Sequence, residues 1–134
     1  MNIIRSETLK LQNSEDIVRT RHAMRTWMVE MKFNLVDQTK MVTAASELAR
    51  NAVKYGGGGS ARLEALVNGA RHGLRLAFED HGPGIPDLDL ALKDGYTTGG
   101  SLGLGLGGSK RLVNEFDIRS APGEGPRVTV VRWK

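Results

Sequence analysis

The stretch TTGGSLGLGLGGSK, residues 97 to 110, decides which fold this chain adopts. Seven of the fourteen residues from Gly95 to Gly108 are glycine. Glycine has no Cβ and loses more backbone entropy on ordering than any other residue, so this concentration indicates a loop whose backbone closely approaches a ligand. Three classes of phosphate-binding segment have such a composition, and the residues around the glycines distinguish them.

Two of these classes fit the glycine-rich stretch poorly. A P-loop requires GxxxxGK followed by Ser or Thr, whereas the order here is Gly108-Ser109-Lys110. Gly103, Gly105 and Gly108 match the GxGxxG pattern of dinucleotide-binding proteins. That pattern, however, follows a buried strand in an N-terminal βαβ unit, and here it follows a polar segment near the C-terminus.

The third class is a glycine-rich loop that binds phosphate together with polar residues from other parts of the chain. ELARNAVKY, residues 47 to 55, supplies such residues. Glu47, Asn51 and Lys54 stand at i, i+4 and i+7 of a predicted helix and share one polar face, away from its apolar stripe. An amide oxygen at Asn51 suits Mg²⁺, the ammonium of Lys54 suits phosphate, and Glu47 suits a general base. The alternative interpretation is a solvated helix face with favourable charge pairs.

A third segment, DHGPGI, spans residues 80 to 85 at the end of a predicted strand. Asp80 can accept a hydrogen bond from an exocyclic amine. Gly82 and Gly84 allow a flat ring to pack against bare backbone. The alternative interpretation is an ordinary turn built from Gly and Pro.

The order of these three segments, with a hairpin and a short helix between them, resembles the GHKL ATPase superfamily and its Bergerat nucleotide-binding fold. ELARNAVKY is similar to the N-box of that superfamily, DHGPGI to its G1 box and GLGLGG to its G2 box. The resemblance covers about residues 37 to 132 and implies that the cofactors are ATP and Mg²⁺.

The resemblance also implies a role for each matched residue. Glu47 would be the catalytic base, Asn51 would hold Mg²⁺ and Lys54 would lie at the phosphates. Asp80 would accept a hydrogen bond from the adenine amino group. The other nucleotide-binding residues would be Gly82, Gly84 and Ile85 after the aspartate, Thr97, Thr98 and Ser101 as hydroxyl donors in a lid, and Gly103, Leu104 and Gly105 as backbone donors to the phosphates.

One departure from the family pattern supports a further alternative. The family often has a threonine after the glycine that opens the last strand, but here Gly125 is followed by Pro126, which removes a polar contact near the adenine. A pure binding module that keeps nucleotide only for structure would tolerate this change. Glu47 and Asn51 oppose that alternative, because a pure binder has no need of a base.

Several stretches resemble the anti-sigma-factor kinases and, within that group, the stressosome switch serine/threonine kinases: TAASELARN, EDHGPGIPD, DGYTTGG, GLGGSKRLVNEF and GEGPRVTVVRWK. The resemblance implies a kinase that uses Mg-ATP to phosphorylate a serine or threonine of a STAS-domain antagonist protein. After release, it would bind and activate a PP2C-type phosphatase through that protein's regulatory region. The alternative is an anti-sigma factor with kinase activity that directly sequesters a sigma factor.

Composition excludes several other classes of function. The 134 residues suit a single domain, residues 1–134, and no apolar run approaches the ~18–20 residues of a membrane span. The net charge of +4 is spread along the chain and only 5% of residues are aromatic, which argues against a nucleic-acid partner. The absence of cysteine and of a secretory signal predicts a cytoplasmic protein without membrane association.

Hydrophobic periodicity and capping residues predict alternating elements. These are a strand over 2–11, a helix from the Asn13 cap to Asn34, a helix from the Asp37 cap to Gly56, strands over 61–67 and 73–80, helices over 87–95 and 109–116, and strands over 117–121 and 127–133. The pattern predicts an α+β fold, a two-layer sandwich whose mixed, mostly antiparallel sheet is covered by helices on one face.

Overall fold

The computed structural model describes residues 1–54, 58–80, 105–121 and 124–134, which form five strands and three helices. In chain order these are β1 (Asn2–Leu11), α1 (Ser14–Glu30), α2 (Leu35–Lys54), β2 (Gly59–Asn68), β3 (Arg71–Asp80), α3 (Gly105–Arg111), β4 (Glu115–Ala121) and β5 (Glu124–Trp133). The predicted helix over 87–95 lies outside the described residues. None of the helices in the described ranges is long and apolar enough to cross a membrane.

The five strands form one sheet in the order β1-β2-β3-β5-β4, and every described strand pair is antiparallel. The predicted hairpin joins β2 and β3, with Asn68 opposite Arg71 and Gly69 in the left-handed region at φ 64°. Glycine suits that turn because it adopts a positive φ without strain. The prediction of an α+β fold with a mostly antiparallel sheet is confirmed.

Alternation along the strands decides which sheet face meets the helices. Leu63, Leu76 and Val130 are cross-strand neighbours on β2, β3 and β5, and all three are fully buried. They belong to one hydrophobic cluster with Met24 of α1 and Met41 of α2. The core therefore lies between one face of the sheet and the helices.

The first helix begins as predicted and ends earlier. Asn13 caps it by accepting a hydrogen bond from the Asp16 N–H at 3.0 Å. The helix stops at Glu30 and not at Asn34, because Lys32 adopts a left-handed φ of 64° that ends the helical ladder. Met24, Trp27 and Met28 are buried, which makes them core residues as the periodicity predicts.

The predicted Asp37 cap of the second helix is wrong. The cap is Asn34, whose Oδ1 accepts the Asp37 N–H at 2.8 Å, so that α2 begins at Leu35. The Asp37 carboxylate instead pairs with Arg132 of β5, with 2.6 Å between Oδ1 and Nη2. Asn34 and Asp37 can each cap a helix. Because Arg132, near the end of the chain, binds the Asp37 carboxylate, Asn34 is the cap.

The prediction of a helix over 109–116 is also wrong at both ends. The observed helix, Gly105–Arg111, starts and ends earlier. Asn114 already belongs to the sheet region, since its N–H donates to the Val131 carbonyl at 2.9 Å. Phe116 lies in β4 and packs against the core from the helix-facing side of the sheet.

Candidate active site

Three polar residues of α2 lie on one helical face that runs from the interior to the surface. Glu47 is 1% exposed, Asn51 is half-buried and Lys54 is exposed. At about 1.5 Å per residue, the face extends roughly 10 Å along the helix axis. The alternative of a solvated face is wrong for Glu47, because its carboxylate belongs to the protein interior.

The two carboxylate oxygens of Glu47 have different surroundings. Oε2 accepts a hydrogen bond from Nη1 of Arg50 at 3.2 Å, and the Arg50 side chain is 37% exposed. Oε1 is buried and has no hydrogen-bond partner among the described residues. Nearly all buried polar atoms in native proteins are hydrogen-bonded, so an unpaired carboxylate oxygen marks a position suited to a ligand or a proton.

The donors on this face suit a hard cation. Mg²⁺ prefers oxygen ligands and usually takes only one or two from the protein, with waters and substrate phosphates completing its shell. The amide oxygen of Asn51, one turn after Glu47, can supply such a ligand, while the unpaired Oε1 of Glu47 stays available as a base. In the described part of the chain, no group of three or more His, Cys, Asp or Glu forms an all-protein metal cage.

Gly58 lies between the end of α2 and the start of β2. Gly58 has a φ of 98°, and its N–H donates to the carbonyl of Ala52 at 3.0 Å. This bond ties the start of β2 to the last turn of α2. The sequence predicts the stop at Gly56; α2 extends to Lys54 and residues 55–57 lie outside the described ranges.

Gly59 allows a close approach between β2 and the end of β3, which the sequence analysis missed. It lies opposite Asp80, the last residue of β3, in the β2–β3 pair. A Cβ at residue 59 would lie 1.8 Å from the Glu79 carbonyl oxygen and 2.7 Å from the Asp80 Cα. Only glycine fits this close approach, so the position of the half-buried Asp80 depends on it. A glycine that continues past a helix stop into a strand is the signal that could have revealed it.

The described elements that carry the candidate residues contact one another. Helix α2 packs against β3, which ends at Asp80, and against α3, which begins at Gly105. Ser109 of α3 is fully buried. The remaining candidates lie outside the described residues: Gly82, Gly84, Ile85, Thr97, Thr98, Ser101, Gly103 and Leu104.

Comparison with known proteins identifies relatives with this architecture. The chain is 41% identical to the serine/threonine-protein kinase RsbT of Bacillus subtilis (strain 168) over 93% of this chain and 94% of that protein. It is 34% identical to the sensor histidine kinase YxdK of the same organism, over 76% of this chain and 37% of that protein. An anti-sigma F factor of Clostridium kluyveri is 26% identical over 95% of this chain and 91% of that protein.

Solved structures share the fold at low sequence identity. The RsbU and RsbW domains of Rv1364c from Mycobacterium tuberculosis match with a TM-score of 0.67 and 21% identity, over 97% of this chain and 33% of that chain. The mycobacterial sensor histidine kinase MprB matches with a TM-score of 0.54 and 18% identity, over 96% of this chain and 97% of that chain.

A family model decides the assignment, because it matches residues 36–134, well over half of the chain. This range contains all three segments from which the sequence analysis inferred the superfamily. The predictions of GHKL membership, of a resemblance to a serine/threonine kinase and of an enzyme with an ATP-binding domain are confirmed. The chain belongs to the histidine kinase-, DNA gyrase B- and HSP90-like ATPase family.

Proposed function

We propose that this chain is a protein serine/threonine kinase of a partner-switching stress-signalling pathway. It transfers the γ-phosphate of Mg-ATP to a serine or threonine of a STAS-domain antagonist protein. The observation that carries the proposal is the buried Glu47 carboxylate, whose Oε1 is unpaired among the described residues and which lies one turn before Asn51. The sequence identity of 41% to RsbT, over nearly the whole length of both chains, supports the assignment as a kinase.

The chemistry assigned to Glu47 is proton removal from the acceptor hydroxyl. As the proton moves to Oε1, the hydroxyl oxygen bonds to the γ-phosphorus, the bond from that phosphorus to the bridging oxygen breaks, and ADP leaves. General bases of this kind contribute about 10²–10⁴-fold to a rate. The hydrogen bond from Arg50 to Oε2 keeps the other oxygen available for this proton.

Asn51 would hold Mg²⁺, which when bound neutralises negative charge on the phosphates. Most of the rate in phosphoryl transfer comes from positioning of the reactants and from charge neutralisation. The few polar side chains of this helix face are therefore enough for the protein's part in the reaction. Lys54 would lie at the phosphates. The location of Lys54 in the last turn of α2, beside the surface, supports its access to a polyanion.

Asp80 would accept a hydrogen bond from the adenine amino group. Its place at the end of β3, a strand in contact with α2, supports this role. The other proposed nucleotide contacts are Gly82, Gly84 and Ile85 at the base, Thr97, Thr98 and Ser101 as hydroxyl donors, and the backbone of Gly103, Leu104 and Gly105 at the phosphates. Pro126 leaves the base with one polar contact fewer than the family pattern provides.

The proposed partners are proteins, and the proposed compartment is the cytoplasm. Phosphorylation of the antagonist would release the kinase to bind and activate a PP2C-type phosphatase. A second candidate function, direct sequestration of a sigma factor, is favoured by the 26% identity to an anti-sigma F factor over most of both chains.

The experiment mixes the purified chain with Mg²⁺, ATP labelled at the γ-phosphate, and candidate STAS-domain proteins from the same organism. Label on a serine or threonine of one such protein, located by mass spectrometry, supports the kinase. Nucleotide binding without any transfer would favour the pure binding module instead. Co-purification with a phosphatase or with a sigma factor then chooses between the two candidate functions.

A further inference from the structure

We propose that Arg132 is a positioning residue for phosphoryl transfer. It fastens the C-terminal end of α3 to the first turn of α2, and so keeps Gly105, the first residue of α3, in a fixed position relative to Asn51. The inference rests on the proposed function and adds to it a residue outside the three nucleotide-binding segments. Arg132 lies near the end of the chain and takes no part in the proposed nucleotide contacts.

One guanidinium group joins three elements. Nη2 of Arg132 donates to Oδ1 of Asp37 in the first turn of α2 at 2.6 Å. Nη1 donates to the carbonyl of Leu112, the residue after α3, at 3.1 Å. The side chains of Arg132 and Asp37 are only 15% and 19% exposed, so solvent screens the pair weakly.

The backbone of β5 holds the same turn on either side of Arg132. The Val131 carbonyl accepts the Asn114 N–H at 2.9 Å, and the Trp133 N–H donates to Oδ1 of Asn114 at 2.6 Å. Arg132 itself is paired in register with Leu74, a fully buried residue on the helix-facing side of the sheet. These backbone bonds fix the chain just after α3 to β5. The Arg132 side chain extends this connection to α2, because the same guanidinium also binds Asp37.

Stability alone does not explain an arginine at position 132. Its Nε is buried without a hydrogen-bond partner among the described residues, which costs free energy. Well-packed apolar residues often replace buried ion pairs without loss of stability. Two donors held at a fixed angle by a planar group, however, define the relative position of two acceptors in a way that no apolar side chain can.

The position of α3 relative to α2 matters because each helix carries part of the proposed site. Asn51 lies on α2, and Gly105 is the first residue of α3, at the end of the predicted phosphate-binding segment. Ser109 is fully buried, so α3 is packed against its neighbours. A misplacement of about 1 Å in such sites can cost on the order of 10²-fold in rate.

The test compares Arg132→Met, Arg132→Lys and Asp37→Asn with the control Arg119→Met. Arg119 is an exposed arginine of β4 that pairs with Asp117. Arg132→Met is expected to raise KM for ATP and Kd for ADP about tenfold while KM for the protein acceptor stays constant. Asp37→Asn is expected to do the same more weakly, and Arg132→Lys to restore part of the affinity. Amide hydrogen exchange in residues 108–112 is expected to accelerate in Arg132→Met and, to a smaller extent, in Asp37→Asn, and to stay unchanged in Arg119→Met.

Unchanged nucleotide affinity and unchanged exchange in a folded Arg132→Met protein would overturn the proposal. A lower melting temperature with equal effects on both KM values would overturn it too, because that pattern belongs to general destabilisation. If Arg132→Met does not fold, Asp37→Asn carries the same test from the other side of the ion pair. Failure of the parent protein to bind nucleotide would instead refute the proposed function, and exchange in α3 would still test the arginine.

Discussion

The close approach of β2 to the end of β3 makes Gly59 a sensitive position beside the candidate site. In Gly59→Ala, the new Cβ would lie 1.8 Å from the Glu79 carbonyl oxygen and 2.7 Å from the Asp80 Cα. Both are backbone atoms of a paired strand, so neither moves aside as the tip of a flexible side chain would. The substitution must therefore push the two strand ends apart.

The size of the effect follows from those distances. Ordinary contacts of a Cβ begin at 3.4 Å, so relief of the clash with the Glu79 carbonyl needs a displacement well above 1 Å. Forcing extra volume into a packed site typically costs about 1–3 kcal/mol of stability. Since Asp80 moves with the strand end, we expect kcat/KM for ATP to fall on the order of 10²-fold.

The matched control is Gly73→Ala at the opposite end of β3. There the new Cβ would lie 2.6 Å from Cε3 of Trp133, a ring that packs over Gly73 far along the strand from Asp80. Both variants are expected to lower the free energy of unfolding measured with urea. Only Gly59→Ala is expected to lose ATP affinity, measured by titration under conditions in which each variant is folded.

Parent-like ATP affinity in folded Gly59→Ala would refute the link between this glycine and the position of Asp80. Equal losses of affinity in both variants would refute it as well, because the cause would then be general instability.

Two further predictions concern single carboxylates. Asp80→Asn is expected to weaken ATP binding by about 1–3 kcal/mol, the usual cost of a stranded buried hydrogen-bond partner, and calorimetric titration that shows no change would remove Asp80 from the site. The pKa of Asp16 lies below its ordinary value, because its 1%-exposed carboxylate accepts the Gln12 N–H and lies beside Arg19. A lowered folded-state pKa means that Asp16 stabilises the fold above the unfolded-state pKa, near 4, and that this contribution disappears as the pH falls through the folded-state pKa. Urea unfolding between pH 2 and 6 should therefore show a shallower loss of stability on acidification in Asp16→Asn than in the parent; identical slopes would contradict this.

The start of α2 shows where prediction from local sequence ends. Asn34 and Asp37 are both good caps, three residues apart, and local preference does not choose between them. The choice is made by Arg132, 95 residues further along the chain, which takes the Asp37 carboxylate.

The helical face shared by the candidate residues of α2 was predictable from the sequence, and the burial of that face was not. Helical spacing alone places Glu47, Asn51 and Lys54 on one face, and the structure agrees. The depth of Glu47 depends on the sheet and on α3, which pack on α2 from distant parts of the chain. The role of Gly59 was hidden for the same reason, because its partner strand ends twenty-one residues later at Asp80.

The central claim is that a buried carboxylate on α2 removes the proton in phosphoryl transfer. It is tested most directly by measuring ATP binding and γ-phosphate transfer to the STAS-domain acceptor side by side in Glu47→Ala. The control is Ser46→Ala, the neighbouring residue, whose hydroxyl donates to the Val42 carbonyl within the helix at 2.7 Å. The account predicts that Glu47→Ala binds ATP and that its transfer rate falls at least about 10²-fold, while Ser46→Ala transfers normally. Transfer by Glu47→Ala at the rate of the parent protein would contradict it.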